Sequence, residues 1–180
     1  MNRKIIILNG SPRIKGNTSQ LIESFTKGAK EAGNTVTTFF LDGMNINGCK
    51  GCMMGGKDPE SPCVQKDDME KIYPIYREAD VVVMASPLYY WTLSGQLRTT
   101  FDRLFAVAEC DDEHNPNKDC VLLMSAGSDE YEEVVYYYNS LMKHIKWNSL
   151  GMVLAENVTE LGAIIGNPAL DRAYELGKSI

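Results

Sequence analysis

The sequence predicts an α/β fold in which a five-stranded parallel sheet of order 2-1-3-4-5 is covered by helices on both faces. Three observations favour this doubly wound sandwich. Short β-branched runs alternate with longer segments of helical periodicity, most of the short runs are apolar at nearly every position, and a glycine-rich loop follows the first run directly. The 180 residues are expected to form a single domain, residues 1–180.

The predicted strands are five short runs, at residues 4–10, 35–41, 80–87, 119–127 and 150–158. Four are almost entirely apolar, which is typical of strands covered on both faces, whereas "TVTTFFL" is half polar and suits an edge of the sheet. The predicted helices lie between and after them, at about residues 18–32, 66–78, 94–109, 130–147 and 168–178. Parallel neighbours require right-handed crossovers, and ligands of such sheets bind beyond the carboxyl ends of the strands near the point where the strand order reverses.

Composition narrows the range of functions. Hydrophobic residues make up 44% of the chain and charged residues 23%, and the formal net charge is −6. These values are typical of a folded globular protein and predict no general binding to nucleic acid or to anionic membranes, which requires a basic surface. The apolar run Ile5–Leu8 is too short for a secretion signal, so we expect a cytoplasmic protein. The five cysteines are an odd number, which favours free thiols, metal ligation or redox chemistry over a disulfide framework.

The loop "NGSPRIKGNTSQL" after the first strand has the design of an anion site. Glycines at 10 and 16 permit tight turns, and the next residues open a helix whose N–H groups and dipole attract negative charge. The donors expected there are the side chains of Ser11, Arg13, Asn17, Thr18 and Ser19. The loop lacks both G-K-[ST] and G-x-G-x-x-G, so a monophosphate such as that of FMN fits better than a nucleoside triphosphate or a dinucleotide. The alternative is a capped helix beside a solvated loop.

Two further loops are expected at the same edge of the sheet. An aromatic cluster, Tyr89, Tyr90 and Trp91, follows the third strand and offers flat faces for a planar ring; the alternative is that these aromatics pack on the helices or at a subunit interface. The small residues Ser125, Ala126 and Gly127 end the fourth strand and would let a ring lie against the backbone. The three loops together predict one binding site.

These motifs resemble a known family. The segments "GSPRIKGNTS" and "SPLYYWTLSGQLRTTFDR" are similar to the phosphate loop and the helix segment of the NAD(P)H-dependent FMN reductases, in the flavodoxin-like superfamily, with Arg98 where lysine is usual. The resemblance implies that the first loop holds the FMN phosphate, through Ser11, Arg13, Asn17, Thr18 and Ser19. It implies that four residues border the isoalloxazine ring: Pro87, Leu88, Tyr89 and Tyr90. We expect a structural or interface role for its aspartate-arginine pair, Asp102 and Arg103.

The family resemblance also implies an activity. Hydride from NAD(P)H would reduce FMN, and the electrons would pass to a quinone, free flavin, nitro compound, azo dye or metal, with no side-chain acid or base required. The resemblance also implies a homodimer or a higher homo-oligomer. Two alternatives stay open: a flavodoxin-type electron carrier without nicotinamide activity, and a non-redox interaction module.

The stretch "GCKGCMMGGKDPESPC" resembles the cysteine loop of one branch of the superfamily, the iron-sulfur flavoproteins. Cys49, Cys52 and Cys63 match three of the four cluster ligands of that branch, but Gly55 stands where the remaining cysteine would fall. A four-thiolate cluster cannot be completed locally, so no metal is predicted. A fourth donor from His114, His144, Cys110 or Cys120, a disulfide or sensing role, and a plain loop beside the flavin or at a dimer contact all remain as alternatives.

Overall fold

The computed structural model describes residues 2–110 and 117–180. Five parallel strands form one sheet in the order β2-β1-β3-β4-β5, which confirms the predicted fold class and topology. The strands are β1 (Lys4–Asn9), β2 (Thr35–Phe40), β3 (Val81–Pro87), β4 (Asp119–Ser125) and β5 (Asn148–Ala155).

All five predicted helices are present as crossovers or as the final element. They are α1 (Asn17–Glu31), α2 (Met69–Glu78), α3 (Gly95–Ala108), α4 (Glu132–Ile145) and α5 (Ala169–Lys178). Ser94 caps α3, since its Oγ accepts a hydrogen bond from the backbone N–H of Leu97 at 3.4 Å. None of the helices in the described residues is long and apolar enough to cross a membrane.

Each face of the sheet has its own hydrophobic core, because successive strand residues point to opposite faces. Ile5 and Ile7 of β1 belong to the core under α1 and α5, together with Phe25. Ile6 and Leu8 belong to the core under α2, α3 and α4. The sheet is therefore a layer buried between two layers of helices, and loops at its carboxyl edge leave a cleft beside β3 and β4.

The last strand differs from its prediction. β5 forms an edge of the sheet, so residues 150–152 and Leu154 are only partly buried although the apolar run predicted cover on both faces, and the strand begins earlier than predicted, at Asn148. It also ends at Ala155 rather than at 158, since Asn157 adopts left-handed backbone angles (φ 58°) that a strand cannot accommodate. The turn at Asn157 directs the following residues over the carboxyl edge of the sheet.

Candidate functional site

An open cleft of about 230 Å³ lies at the carboxyl edge of the sheet, between the loops that follow β1, β3, β4 and β5. We call it the FMN cleft, for the cofactor that the sequence predicts. Its lining residues are Ser11, Arg13, Gly16, Asn17, Thr18, Pro87, Leu88, Tyr89, Ser125, Ala126, Gly127, Val158 and Thr159. The structure thus brings together all the predicted site residues except Ser19 and Tyr90.

The β1 loop is folded by its own polar groups. The backbone N–H of Ser11 donates to Asn9 Oδ1 at 3.0 Å, and the N–H of Arg13 donates to Ser11 Oγ at 3.2 Å. Ser19 Oγ donates to the carbonyl of Arg13 at 3.1 Å, which explains why Ser19 supports the loop instead of lining the cleft. The Arg13 side chain is exposed, and within the described residues it has no ion-pair partner. It is the one charged side chain in the lining.

The first turn of α1 presents unused donors to the cleft. The N-cap residue is Gly16, and no side chain caps this end of the helix. The backbone N–H groups of Asn17, Thr18 and Ser19 have no acceptor within the helix, as in any first turn, yet all three residues are buried. Thr18 Oγ1 and Ser125 Oγ lie 2.8 Å apart and add hydroxyls at the same place. An anion with several oxygens would satisfy these donors, so the residues fit the phosphate of FMN.

The Asn17 side chain has a different role from the phosphate donor that the sequence predicts. Its side-chain amide donates to the carbonyls of Val158 and Glu160, at 2.8 and 2.9 Å, and its Oδ1 accepts from the N–H of Ile164 at 3.4 Å. The side chain is therefore fully engaged with residues 158–164, and only its backbone N–H remains available to a ligand. The wall formed by Val158 and Thr159 was missed from the sequence, although its position just after β5 was a signal that it belongs to this edge.

The β3 loop is a tight turn with strained backbone angles. Tyr89 and Thr92 exchange two backbone hydrogen bonds of 3.0 and 3.1 Å, and the residues between them, Tyr90 and Trp91, are both left-handed (φ 46° and 57°). Such angles cost a non-glycine residue on the order of 1–3 kcal/mol. The turn directs Tyr89 into the cleft and leaves Tyr90 outside it, 93% exposed. We call residues 89–92 the aromatic turn.

The cleft is suited to binding rather than to acid-base catalysis by side chains. No Asp, Glu, His, Lys or Cys is among its lining residues. Two backbone donors of the β3 and β4 loops are already used: the N–H of Leu88 donates to Ser125 O at 2.9 Å, and that of Ala126 donates to Ala155 O at 3.0 Å. The N–H of Gly127 has no acceptor within the described residues, so it is a free donor among the residues that line the cleft.

The cysteine loop, residues 44–68, forms a separate cavity on α3. Cys49, Cys52 and Cys63 line it together with Gly55, and its walls are mostly apolar, formed by side chains such as Phe105 and Ala106. None of the five cysteines, all within the described residues, forms a disulfide, and no three metal-ligating side chains of the described residues lie close enough to hold an ion. His144, Cys110 and Cys120 are not in the lining, and His114 lies outside the described residues. The residues present do not supply the four thiolates of a [4Fe-4S] cluster.

A buried ion pair holds this loop on α3. Arg103 Nη1 lies 2.6 Å from Asp67 Oδ2 and also donates to the carbonyl of Asn47 at 2.7 Å. Burial alone would raise the pKa of Asp67, but hydrogen bonds from Arg103 and from the backbone N–H groups of Asn47 and Met69 outweigh burial and lower it. Arg103 therefore has the structural role expected of it, while Asp102 pairs with Arg98 at the surface.

Comparison with known proteins supports the family resemblance that the sequence motifs indicate. A family model described as NADPH-dependent FMN reductase matches residues 3–159. An iron-sulfur flavoprotein of Archaeoglobus fulgidus is 29% identical over 181 residues, which cover 98% of this chain and 78% of that protein. An iron-sulfur flavoprotein of Methanosarcina thermophila is 36% identical over 100 residues, about half of each chain (56% and 51%). The NAD(P)H:quinone oxidoreductase of Methanothermobacter marburgensis has the same fold, with a TM-score of 0.73 at 18% identity over 99% of this chain and 97% of that one.

Proposed function

The chain belongs to the family of NADPH-dependent FMN reductases, and from this premise we propose that it oxidises NAD(P)H and passes the electrons through FMN to a quinone, a free flavin or another small acceptor. With a quinone, the net reaction would consume NAD(P)H, one proton and the quinone, and would yield NAD(P)⁺ and the hydroquinone. Two electrons and two protons reach the acceptor, one of these protons from solvent. Bound FMN supplies this two-electron chemistry.

The observation that carries the proposal is the set of unused donors at the start of α1. The buried N–H groups of Asn17, Thr18 and Ser19, the Thr18 hydroxyl and the exposed charge of Arg13 would hold the phosphate. This end of the cleft fixes the cofactor without contributing to the redox step. The Ser19 side chain would not contact the phosphate itself; it would stabilise the loop by donating to the carbonyl of Arg13.

The remaining walls would position the ring. Pro87, Leu88 and Tyr89 of the β3 loop and Ser125, Ala126 and Gly127 of the adjoining β4 loop line the cleft, and the small residues of the β4 loop would allow close approach to the backbone. The free N–H of Gly127 is our candidate for a hydrogen bond to the ring, because a donor there would favour added electron density on it. The N–H of Ala126 in the same loop is already bonded to the carbonyl of Ala155.

Anaerobic reduction tests the activity. Protein loaded with FMN is mixed with NADPH or NADH in a stopped-flow instrument, and the flavin absorbance near about 450 nm is followed. We expect rapid bleaching by at least one nucleotide and return of the absorbance when menadione is added. Failure of both nucleotides to bleach a fully loaded protein would favour the flavodoxin-type electron carrier. Protein that takes up no FMN would favour the non-redox module.

The assembly and the compartment are further parts of the proposal. A homodimer is supported by the family resemblance, and light scattering coupled to size-exclusion chromatography measures it. A cytoplasmic location is supported by the five free thiols, since reducing compartments keep cysteines in this state. Fractionation of cells that express the natural protein tests the location.

A further inference from the structure

The aromatic turn presents two large side chains to solvent beside the FMN cleft. Tyr90 is 93% exposed and Trp91 is 50% exposed. Their ring centroids are 6.5 Å apart and the ring planes meet at 68°, so the two rings form a corner with one face and one edge directed to the same side. Aromatic rings bind other flat rings by offset stacking or by edge-to-face contact, and this corner offers both.

A second cleft lies at this corner. Its lining consists of Leu88, Tyr90, Trp91, Ser128 and Glu130, and its volume is about 290 Å³. Leu88 also lines the FMN cleft, and Ser128 directly follows Gly127 of that cleft. The two clefts therefore adjoin at the β3 and β4 loops, and a molecule in the second cleft would lie beside the first. We call the second cleft the acceptor cleft.

The strained backbone of the turn indicates that the Tyr90 and Trp91 side chains have a function. A two-residue turn of this kind needs two left-handed residues, and Asn-Gly meets that need without strain, whereas this chain has Tyr-Trp. The strained angles persist because both ends of the turn are fixed: Leu88 N–H donates to Ser125 O at 2.9 Å, and Ser94 N–H donates to Ser86 Oγ at 2.8 Å. Strain that the surrounding structure maintains is concentrated at functional sites.

We propose that the acceptor cleft binds the electron acceptor as a neutral, planar aromatic molecule that stacks on the Tyr90 and Trp91 rings. This inference rests on the proposed function and specifies its substrate class. The exposed carboxylate of Glu130 in the lining and the net charge of −6 disfavour an anionic acceptor. A quinone without charged substituents has the required shape, polarity and charge.

Steady-state kinetics test the role of Trp91. Trp91→Gly removes the ring and places glycine at a left-handed position, so the folded protein should melt at a higher temperature than wild type. We expect the KM for menadione to rise at least about tenfold, while the KM for ferricyanide, which has no aromatic ring, and the KM for NADPH measured with ferricyanide stay unchanged. Tyr136→Ala is the matched control, because Tyr136 is an exposed aromatic residue of α4 outside both clefts, and it should change none of these values.

Three results would overturn the inference. They are an unchanged KM for menadione in Trp91→Gly, a rise in the KM for NADPH with ferricyanide, and conversion of a wild-type dimer to monomers by this substitution. The second would assign the cleft to the nicotinamide, and the third would assign the aromatic turn to a subunit interface.

A binding measurement separates this inference from the proposed function. The chain has two tryptophans, so in Trp147→Phe all indole emission comes from Trp91. In the FMN-loaded variant without NAD(P)H, menadione should quench this emission saturably, and sulfonated anthraquinone should bind at least about tenfold more weakly. Saturable quenching without any turnover of NAD(P)H would contradict the proposed function and support the cleft. Turnover of menadione without saturable quenching would contradict the cleft alone.

Discussion

Asn17 links two loops that are 141 residues apart in the sequence, and it does so with every polar atom of its side chain. Asn17→Ala would leave the carbonyls of Val158 and Glu160 without these donors in a buried region, which costs about 1–3 kcal/mol of the free energy of unfolding. We expect this loss in urea unfolding, together with faster amide hydrogen exchange across residues 158–164.

Asn17→Asp tests more specifically whether the Asn17 amide holds residues 158–164. It keeps the shape of the side chain and its acceptor oxygen, but it removes both donated hydrogen bonds and places a carboxylate beside two carbonyl oxygens. The protein should lose at least as much stability as Asn17→Ala does. Wild-type stability and exchange rates in Asn17→Asp would show that the amide does not hold this loop.

The cysteines should differ strongly in reactivity because their surroundings differ. Cys120 is fully buried in β4, and burial raises the pKa of its thiol to about 12, whereas Cys49 and Cys52 are exposed. The thiolate is the reactive form, so at pH 8 iodoacetamide should label Cys49 and Cys52 first and Cys120 only after unfolding. Mass spectrometry of timed samples measures the order. Labelling of Cys120 in the folded protein at the rate of Cys49 would contradict this assignment.

At the scale of elements, α3 and the cysteine loop depend on the Asp67–Arg103 pair, in which both side chains are almost fully buried. Asp67→Asn would leave the buried guanidinium without its counter-charge and should cost about 3–5 kcal/mol at pH 7. Asp102→Asn is the control on the same helix. Its ion pair with Arg98 is exposed and should contribute only about 0–1 kcal/mol.

The stability that the Asp67–Arg103 pair contributes to the fold should decrease at acidic pH. The pKa of Asp67 is lower in the folded protein than its ordinary value of 3.8, so the ionised carboxylate stabilises the fold at pH values above 3.8. That contribution is lost as the pH falls through the lower, folded pKa. The stability difference between wild type and Asp67→Asn should therefore be constant from pH 7 to about pH 5 and shrink below about pH 4. A difference that grows on acidification would contradict the assignment.

The elements themselves were largely predictable from the sequence, and the exceptions have physical causes. The start of α3 was predicted by Ser94, because a hydroxyl cap is a local signal. The end of β5 was not, because it depends on the left-handed backbone of Asn157, a conformation that asparagine permits but does not require. The outward direction of Tyr90 was also not predictable, because it depends on a left-handed turn that normally contains Asn-Gly, and a Tyr-Trp pair does not indicate such a turn.

At the scale of the whole molecule, the strand order determines the site. Because β1 lies beside β3, and β3 beside β4, loops that are far apart in the sequence meet at one edge, and the loop after β5 closes it. The alternation of strands and helices was sufficient to predict this convergence. Which side chains line the cleft depends on hydrogen bonds between loops, such as the 2.8 Å contact of Thr18 with Ser125, and no local pattern encodes these.

Because four loops form the FMN cleft, a ligand that contacts all of them should stabilise the whole fold. FMN at a hundred times its Kd should add about 2.7 kcal/mol to the free energy of unfolding, which raises the Tm of a chain of this length by roughly 5–10 °C. Riboflavin has the same ring but no phosphate, so it leaves the donors at the start of α1 unsatisfied and should raise the Tm less at the same concentration. Arg13→Ala should narrow the difference between the two ligands, because it weakens binding of the phosphate alone. Circular dichroism melts of wild type and variant with each ligand measure this difference, and equal shifts for FMN and riboflavin in wild type would show that the first turn of α1 does not bind the phosphate.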